Sequence, residues 1–155
     1  MKIEHYEQIN STHKYAQTIA QDLESDKKVI IADEQTEGIG TKGRSWYTGK
    51  GNNIAMTIIL HTKRKIDNIK ELPIEVAKVV QKSIKELYNY DLEIKEPNDL
   101  MLNNKKICGI LTQTSTQGEK INYILISLGF NVNETEFSKE VKDIATSLKN
   151  EYKKE

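Results

Sequence analysis

Glycines, amides and charged side chains cluster in a stretch of the chain whose pattern suits the binding of an anion. In TEGIGTKGRSW, residues 36–46, three glycines surround Lys42, and Arg44 and a tryptophan follow. Glycines let backbone N–H groups approach a phosphate closely, and the two cations add charge-assisted hydrogen bonds. The spacing matches neither a Walker loop nor a dinucleotide-binding fingerprint. By itself the stretch fits an anion-binding loop and a mobile turn with solvated charges equally well.

A second stretch, KEPNDL at residues 95–100, places Asn98 and Asp99 directly after a proline. Pro-Asn-Asp is good turn chemistry, and a turn is the preferred interpretation of the stretch taken alone. The functional interpretation makes both side chains fixed polar groups of a site. Asp99 would then hold a cation such as Mg²⁺ or orient a lysine.

Two more stretches lie at the ends of predicted strands. In NNKKICGIL, residues 103–111, Lys105 and Lys106 precede an apolar strand. They are either solvated or placed so that one of them points from the sheet rim into a site, where it would neutralise a carboxylate and a phosphate together. In SLGFNVN, residues 127–133, Asn131 follows the end of an apolar strand, which fits a simple turn as well as a polar rim.

Other catalytic patterns are missing from the sequence. The three histidines have no metal-ligand spacing with a second ligand, so structural or surface roles are expected for them. No Ser/His/Asp or Cys/His set is evident. Cys108 lies in an apolar run and is predicted to be a buried small hydrophobe rather than a nucleophile.

Length and composition limit the class of protein. A chain of 155 residues suits one domain with one core. Its 23 basic and 23 acidic residues balance, so binding to DNA or to a membrane surface is not expected. A single cysteine excludes an internal disulfide framework, and the N-terminus has no apolar signal segment. Together these features predict a cytoplasmic protein.

Periodicity predicts the elements that must position the four stretches. Apolar residues at three- and four-residue spacing indicate helices, and short β-branched runs indicate strands. The predicted helices are 11–24 and 72–90, and the predicted strands are 28–33, 53–61, 92–95, 105–115 and 120–133. This order favours an α+β fold with a mixed, mainly antiparallel sheet. The charged tail, 134–155, has only a weak helical pattern.

The order and spacing of the four stretches resemble the catalytic domain of the biotin protein ligases, from Glu4 to Asn133. That family is marked by a GRGRxGRxW loop, a KWPND turn, a K-x-x-G-I-L strand and a G-x-N-x-N strand end. The counterparts here are GIGTKGRSW, KEPND, KKICGIL and GFNVN. The resemblance implies the biotin–lipoate ligase fold, related to class II aminoacyl-tRNA synthetases, in one catalytic domain over 1–155 with its core at 4–133.

The resemblance also implies a two-step reaction. The carboxylate of biotin attacks the α-phosphate of ATP, with Mg²⁺, to give biotinyl-5′-AMP. A lysine of a biotin carrier domain, from acetyl-CoA or pyruvate carboxylase, then attacks the mixed anhydride. A glycine loop that closes over the adenylate would protect it from water.

Site residues are carried over from the family position by position. The implied catalytic residues are Lys106, which bridges carboxylate and phosphate, with Arg44 and Asp99; Asp99 is also the implied Mg²⁺ ligand. The implied biotin-binding residues are Ser11, Thr12, Gln35, Gly38, Lys106 and Gly109. The implied ATP- and adenylate-binding residues are Gly40, Lys42, Gly43, Arg44, Trp46, Asn98 and Asn131.

Three departures from the family pattern keep other functions open. Ile39 and Thr41 stand where the family has arginines, Glu96 replaces an aromatic residue, and few residues follow the last strand. The alternatives are a degenerate ligase that binds biotin or its adenylate with little transfer, and a ligase for another acid such as lipoate. No helix-turn-helix precedes the domain, so a repressor role is not expected. The chain is expected to be a monomer or a homodimer.

Overall fold

The structure is a computed structural model that describes residues 1–62 and 69–153. Seven strands and three helices make up its regular elements within these residues. In chain order they are β1 (Lys2–Ile9), α1 (Thr12–Ile19), β2 (Lys28–Gln35), β3 (Asn53–His61), α2 (Leu72–Tyr88), β4 (Glu93–Lys95), β5 (Asp99–Leu102), β6 (Lys105–Gln117), β7 (Lys120–Asn131) and α3 (Leu148–Tyr152). None of these helices is long and apolar enough to cross a membrane.

All seven strands form one sheet in the order β1-β2-β3-β7-β6-β5-β4. Strands β1 and β2 pair in parallel, whereas the other neighbours pair antiparallel. The predicted α+β class with a mixed, mainly antiparallel sheet is therefore confirmed. The long hairpin of β6 and β7 lies at the centre and turns at Gly118, whose φ is 62°.

The two faces of the central hairpin carry different layers, because successive side chains of a strand point to opposite faces. Cys108 and Ile110 pack with Ala77 of α2 in one apolar cluster. On the other side, Leu125 packs with Ala16 of α1 in a second cluster. Burial raises the pKa of the Cys108 thiol, which is fully enclosed, so its interpretation as a small hydrophobe is confirmed.

Two strands were not predicted from the sequence. Strand β1 is a mostly exposed edge strand with few apolar residues, so it has no alternating pattern to detect. It forms because its backbone pairs in register with β2, from Lys2 opposite Lys28 to Ile9 opposite Gln35. The sequence favours a turn over the residues of β5, but Leu100 is fully buried and the strand pairs with both β4 and β6.

Both predicted helices are shorter in the structure. Helix α1 ends at Ile19, and the Asp22 side chain caps a short 3₁₀ turn that leaves Leu23 exposed. Helix α2 ends at Tyr88 because Asn89 adopts a left-handed conformation with φ 57°. Side-chain capping and a left-handed residue stop a helix even where the apolar spacing continues.

The residues after β7 return to the sheet. The backbone N–H of Lys106 donates to the carbonyl of Ile144 at 2.8 Å, and the N–H of Thr146 donates to the carbonyl of Lys106 at 2.9 Å. Ser147 caps α3, and Leu148 lies 8% exposed in the cluster beneath α2. Because most of the segment is charged, its sequence does not reveal that the short stretch around Leu148 packs against the core.

We predict that Leu148→Ala lowers the free energy of unfolding by about 2–5 kcal/mol, because it removes a buried leucine from the core. The matched control is Leu87→Ala in α2, where the side chain is 72% exposed; its effect should stay within about 0.5 kcal/mol. Urea unfolding measures both. Equal, small effects would show that the segment does not pack on the core.

Candidate active site

A solvent-open cleft lies on the α1 side of the sheet, where β2, β6 and β7 meet the glycine-containing loop after β2. Side chains and backbone from distant parts of the chain meet there. Its lining includes Ser11, Thr12, His13, Gln35, Ile39, Gly40, Thr41, Trp46, Asn98, Lys106, Gly109, Ile110, Leu111, Ser127, Leu128 and Gly129.

The start of α1 forms the polar end of the cleft. Ser11 is the N-cap, and its hydroxyl accepts from the N–H of Lys14 at 3.3 Å. The Oε1 atom of Gln35 accepts from both the N–H of Thr12 at 2.9 Å and its hydroxyl at 3.1 Å. The Nε2 atom of Gln35 donates to the Thr48 hydroxyl at 3.2 Å. The amide of Gln35 is therefore held in one orientation.

Behind Thr12 lies a buried chain of hydroxyl groups that reaches His13. Thr57 donates to Thr12 at 2.9 Å and contacts the Ser127 hydroxyl at 2.8 Å. The Nδ1 atom of His13 lies 2.8 Å from Ser127, and its Nε2 atom lies 2.9 Å from Gln113. Burial lowers the pKa of His13, and the hydrogen bond with Gln113 only partly opposes that effect.

The indole ring of Trp46 packs against two glycines, which form its seat on the sheet. Gly109 of β6 and Gly129 of β7 are cross-strand partners. A methyl group added at Gly129 would overlap the indole ring, and one at Gly109 would crowd both the ring and the Lys106 side chain. The absence of side chains at this pair therefore lets the tryptophan and the lysine approach the sheet.

Lys106 is positioned from three directions. Its Nζ atom forms an ion pair with Asp99 Oδ1 at 2.7 Å and lies 5.4 Å from the centre of the Trp46 ring. The backbone on either side of it is paired with the segment around Ala145. Its side chain is 28% exposed, so the ammonium group lies at the cleft surface without being freely solvated. An ammonium group held this way can neutralise an anion that enters the cleft.

Two asparagines act on the backbone around this lysine. The Nδ2 group of Asn98 donates to the backbone carbonyl of Ile110 at 3.0 Å. The backbone carbonyl of Asn98 accepts from the N–H of Ile110 at 2.9 Å. Asn131 is buried and donates to the carbonyl of Thr146 at 3.0 Å, away from the cleft. In this structure Asn131 therefore fixes the segment that pairs with Lys106.

The loop after β2 leaves its cations outside the cleft. Lys42, Gly43 and Arg44 are exposed. The guanidinium of Arg44 donates to the carbonyl of Thr41 at 3.3 Å and to its hydroxyl at 3.1 Å. Gly38 packs under the backbone of Trp46 and beside the Gln35 amide, where a methyl group would collide with both.

The structure thus brings most of the sequence-predicted site residues together. Those that line the cleft are Ser11, Thr12, Gln35, Gly40, Trp46, Asn98, Lys106 and Gly109. Asp99 adjoins it through its ion pair, whereas Gly38 supports it from behind. The roles assigned to Asp99, Arg44 and the other residues stay predictions, as does adenylate binding by Lys42, Gly43, Arg44 and Asn131.

Sequence reasoning missed several lining residues. His13 was expected to have a structural or surface role, although it directly follows the Ser-Thr pair at a helix start, and that position was an available signal. Ser127 and Gly129 are brought to the cleft only by the register of β7 against β6. Ile39 and Thr41, the positions at which the resemblance implies arginines, line the cleft, whereas Glu96 is exposed to solvent.

The described residues contain no trio of His, Cys, Asp or Glu side chains that could hold a metal ion. Asp99 is a single carboxylate beside an ammonium group. Mg²⁺ is often held by one or two carboxylates together with substrate phosphates rather than by an all-protein cage. The residues present therefore fit a Mg²⁺ ion that arrives with a nucleotide.

Comparison with known proteins identifies the family to which this fold belongs. A biotin protein ligase from Aquifex aeolicus, solved in complex with biotin and ATP, superimposes with a TM-score of 0.82 at 25% identity, covering 99% of this chain and 62% of that one. The model of the biotin/lipoate A/B protein ligase family matches residues 5–131. The chain belongs to that family.

Two relatives of known sequence also resemble most of this chain. The bifunctional ligase/repressor BirA of Bacillus subtilis is 34% identical over 146 residues, which are 93% of this chain and 45% of the relative. The biotin–[acetyl-CoA-carboxylase] ligase of Paracoccus denitrificans is 30% identical over 125 residues, 79% of this chain and 51% of the relative. The chain spans about half the length of the curated relatives it matches.

We predict that Gly129→Ala displaces the Trp46 ring from its seat. Trp46 is the one tryptophan of the chain, so its fluorescence emission should shift to longer wavelength as the indole becomes solvated. Gly118→Ala is the control: φ is 62° there and no atom lies within 4 Å, so it strains the hairpin turn without touching the tryptophan. An unchanged spectrum in Gly129→Ala would contradict the seat.

We also predict that stability falls on acidification in a window set by His13. Its folded pKa is lowered, so below an unfolded value of about 6.5 the unfolded state binds more protons and unfolding is favoured. The free energy of unfolding should decrease as pH falls from about 7 to 5.5, by at most about 1.4 kcal/mol per pH unit. Urea titrations of the natural chain and of His13→Asn measure this, and equal slopes would exclude His13 as the source.

Proposed function

We propose that this chain is the catalytic part of a biotin protein ligase, which activates biotin with ATP and transfers it to a lysine of a carrier domain. The observation that carries the proposal is the position of Lys106. Its ammonium group lies between Asp99 and Trp46 at the cleft surface. The polar pair Thr12 and Gln35 lines the same cleft. A ligand with a polar ring at one end and a carboxylate at the other fits that arrangement.

In the first step, a biotin carboxylate oxygen bonds to the α-phosphorus of ATP, the bond to the bridging oxygen breaks, and pyrophosphate leaves. Carboxylate and phosphate repel each other, so the site must supply positive charge between them. Lys106 supplies that charge and Asp99 holds its ammonium group in place. Gly109 leaves room for the lysine to pass.

In the second step, the amine of a carrier lysine attacks the acyl carbon of biotinyl-5′-AMP, forms an amide, and AMP leaves with its bonding electron pair. No covalent enzyme intermediate is required. The amine nitrogen gives up its extra proton to solvent as the amide forms. Water competes for the same carbon, so the loop that carries Gly40 and Trp46 serves to cover the anhydride.

ATP is the nucleotide, and Mg²⁺ accompanies its phosphates with Asp99 as the protein carboxylate nearest to Lys106. Lys42 and Arg44 lie on the exposed part of the loop, and their role in the proposal requires the loop to turn their charges toward a bound adenylate. The carrier is a biotin carrier domain of acetyl-CoA or pyruvate carboxylase, in keeping with the name of the Paracoccus relative. A cytoplasmic location and a monomeric or homodimeric state complete the proposal.

A second candidate function is a binding protein with little transfer activity. It is favoured by Ile39 and Thr41, which place apolar and hydroxyl groups in the cleft where the family has arginines. With Arg44 bonded to Thr41, the described loop directs no cation of its own into the cleft. A ligase for another acid, such as lipoate, is separated from both by competition among acids in adenylate formation.

We predict biotin-dependent release of pyrophosphate from ATP and Mg²⁺. Lys106→Ala should lower its rate about 100-fold or more, because the charge between carboxylate and phosphate is lost. Lys105→Ala, at the neighbouring position in the same strand, is the matched control and should keep the rate within about threefold. A coupled pyrophosphate assay, with and without a carrier domain, measures all three proteins.

The outcomes separate the candidates. Release that requires biotin and collapses only in Lys106→Ala supports an adenylating ligase. Biotin binding by calorimetry without pyrophosphate release would instead establish the binding protein. Equal loss in both lysine variants would show that the general charge of this strand, rather than Lys106, matters.

A further inference from the structure

We propose that His13 is a positioning residue of the biotin pocket: its neutral ring carries the proton on Nδ1, donates it to Ser127, and thereby sets the direction of a buried hydrogen-bond chain that ends at Thr12 and Gln35. The identity of the ligand in this proposal rests on the proposed function. The direction of the chain does not, because it follows from counting protons among buried groups.

The count begins at the pocket. Gln35 Oε1 is an acceptor, so the Thr12 hydroxyl donates its proton to that oxygen. Thr57 donates its proton to Thr12. The contact of 2.8 Å between Thr57 and Ser127 then requires the proton of Ser127. The hydroxyl protons of Thr12, Thr57 and Ser127 are then all used in these three hydrogen bonds.

A fourth contact remains, 2.8 Å between Ser127 and His13 Nδ1. Two lone pairs facing each other at that distance in a buried site would be strongly unfavourable. The missing proton must come from the imidazole, so Nδ1 is the donor. The Ser127 oxygen and His13 Nδ1 are in direct contact, with no room for a water molecule between them, so one of the two groups must supply the proton.

The other ring nitrogen fixes the charge state. His13 Nε2 lies 2.9 Å from Gln113 Oε1, and the same oxygen accepts from Gln17 Nε2 at 2.6 Å. Burial disfavours the doubly protonated ring. With Nδ1 protonated and the ring neutral, Nε2 is an acceptor, so the proposal requires the Gln113 amide to be reversed from this placement, with its NH₂ group toward Nε2. The reversal changes the shape of the side chain little, because an amide oxygen and nitrogen are nearly equal in size. The NH₂ group carries two protons, one for His13 and one for the oxygen of Gln17, whose exposed amide must be reversed as well.

The direction of the chain decides what the pocket presents to a ligand. The hydroxyl oxygen of Thr12 accepts from Thr57 and donates to Gln35, so its second lone pair is available to accept from a ligand N–H. Gln35 uses one Nε2 proton on Thr48 and has the other for a ligand carbonyl. A cyclic urea has both groups, two N–H donors beside a C=O acceptor.

The opposite tautomer would reverse this order. If Nδ1 accepted from Ser127, Thr57 would donate to Ser127 and Thr12 would donate to Thr57. The Thr12 hydroxyl would then no longer donate to Gln35, and the Gln35 amide would lose one of the three hydrogen bonds that hold it. His13 thus acts on the pocket through three intervening hydroxyl groups.

The first test is ¹⁵N NMR of the histidine ring in the full chain at neutral pH without ligand. We expect the Nδ1–H tautomer for His13. Thr57→Val, which is close in shape and cuts the chain, frees the Ser127 hydroxyl to donate, so His13 should switch to the Nε2–H tautomer. An Nε2–H or doubly protonated ring in the natural chain would overturn the proposal, and so would an unchanged tautomer in the variant.

Biotin affinity tests the consequence for the pocket. His13→Asn keeps an N–H donor for Ser127 and should leave the Kd within about threefold. His13→Asp offers only acceptors and should raise the Kd at least about tenfold, the loss of one pocket hydrogen bond. Thermal unfolding checks that both variants are folded. If His13→Asp does not fold, the proposal is tested by the tautomer of His13 in the Thr57→Val variant.

A double variant separates the effect of the direction of the hydrogen-bond chain from the effect of the negative charge of the introduced aspartate. In Ser127→Ala, Thr57 still donates to Thr12, so adding His13→Asp should no longer weaken binding. A persistent loss there, or equal effects of asparagine and aspartate in the natural background, would contradict the proposal. Failure of the natural chain to bind biotin would count against the proposed function alone, since the tautomer is measured without ligand.

Discussion

The pairing of β6 with β7 is the constraint on which the rest of the site depends. Its register sets Gly109 opposite Gly129, and this pair without side chains is where Trp46 lies. The same register brings Ser127 to the polar end of the cleft. A slip by one residue would send these positions to the opposite face, toward α2. The apolar residues Cys108 and Leu125 oppose such a slip, because each is fully buried on its own face.

Lys106 shows how one charged side chain is made specific by groups that are distant in sequence. Asp99 precedes it by seven residues and holds its ammonium group, whereas Trp46 arrives from the loop after β2. Asn131 and Thr146 hold the segment that pairs with its backbone. A partly buried cation with fixed partners loses less freedom on meeting an anion than a solvated lysine does. This is the physical basis for assigning it the central role in the proposed adenylation.

The polar end of the cleft works by a different principle. Thr12, Thr57 and Ser127 are neutral groups, and their value lies in the order of their protons rather than in charge. Burying such a chain costs little free energy when every contact between two oxygen or nitrogen atoms contains one proton. It becomes unfavourable when one contact lacks its proton. His13 is the group that can supply or withhold that proton. The cleft thus joins a neutral end suited to hydrogen-bond recognition with a cationic end suited to chemistry.

The sequence by itself determined the class of fold, the main strands and the set of motifs that meet in the cleft. Local patterns were enough because β3, β6 and β7 are apolar runs and Gly118 marks a turn, so their formation depends on nearby residues. Tertiary structure alone decided the rest. Strand β1 exists through parallel pairing with β2, and the direction of the Asn131 side chain depends on a segment that returns from later in the chain. The role of His13 likewise required the register of β7, since periodicity specifies which face a residue occupies but not which distant hydroxyl it meets.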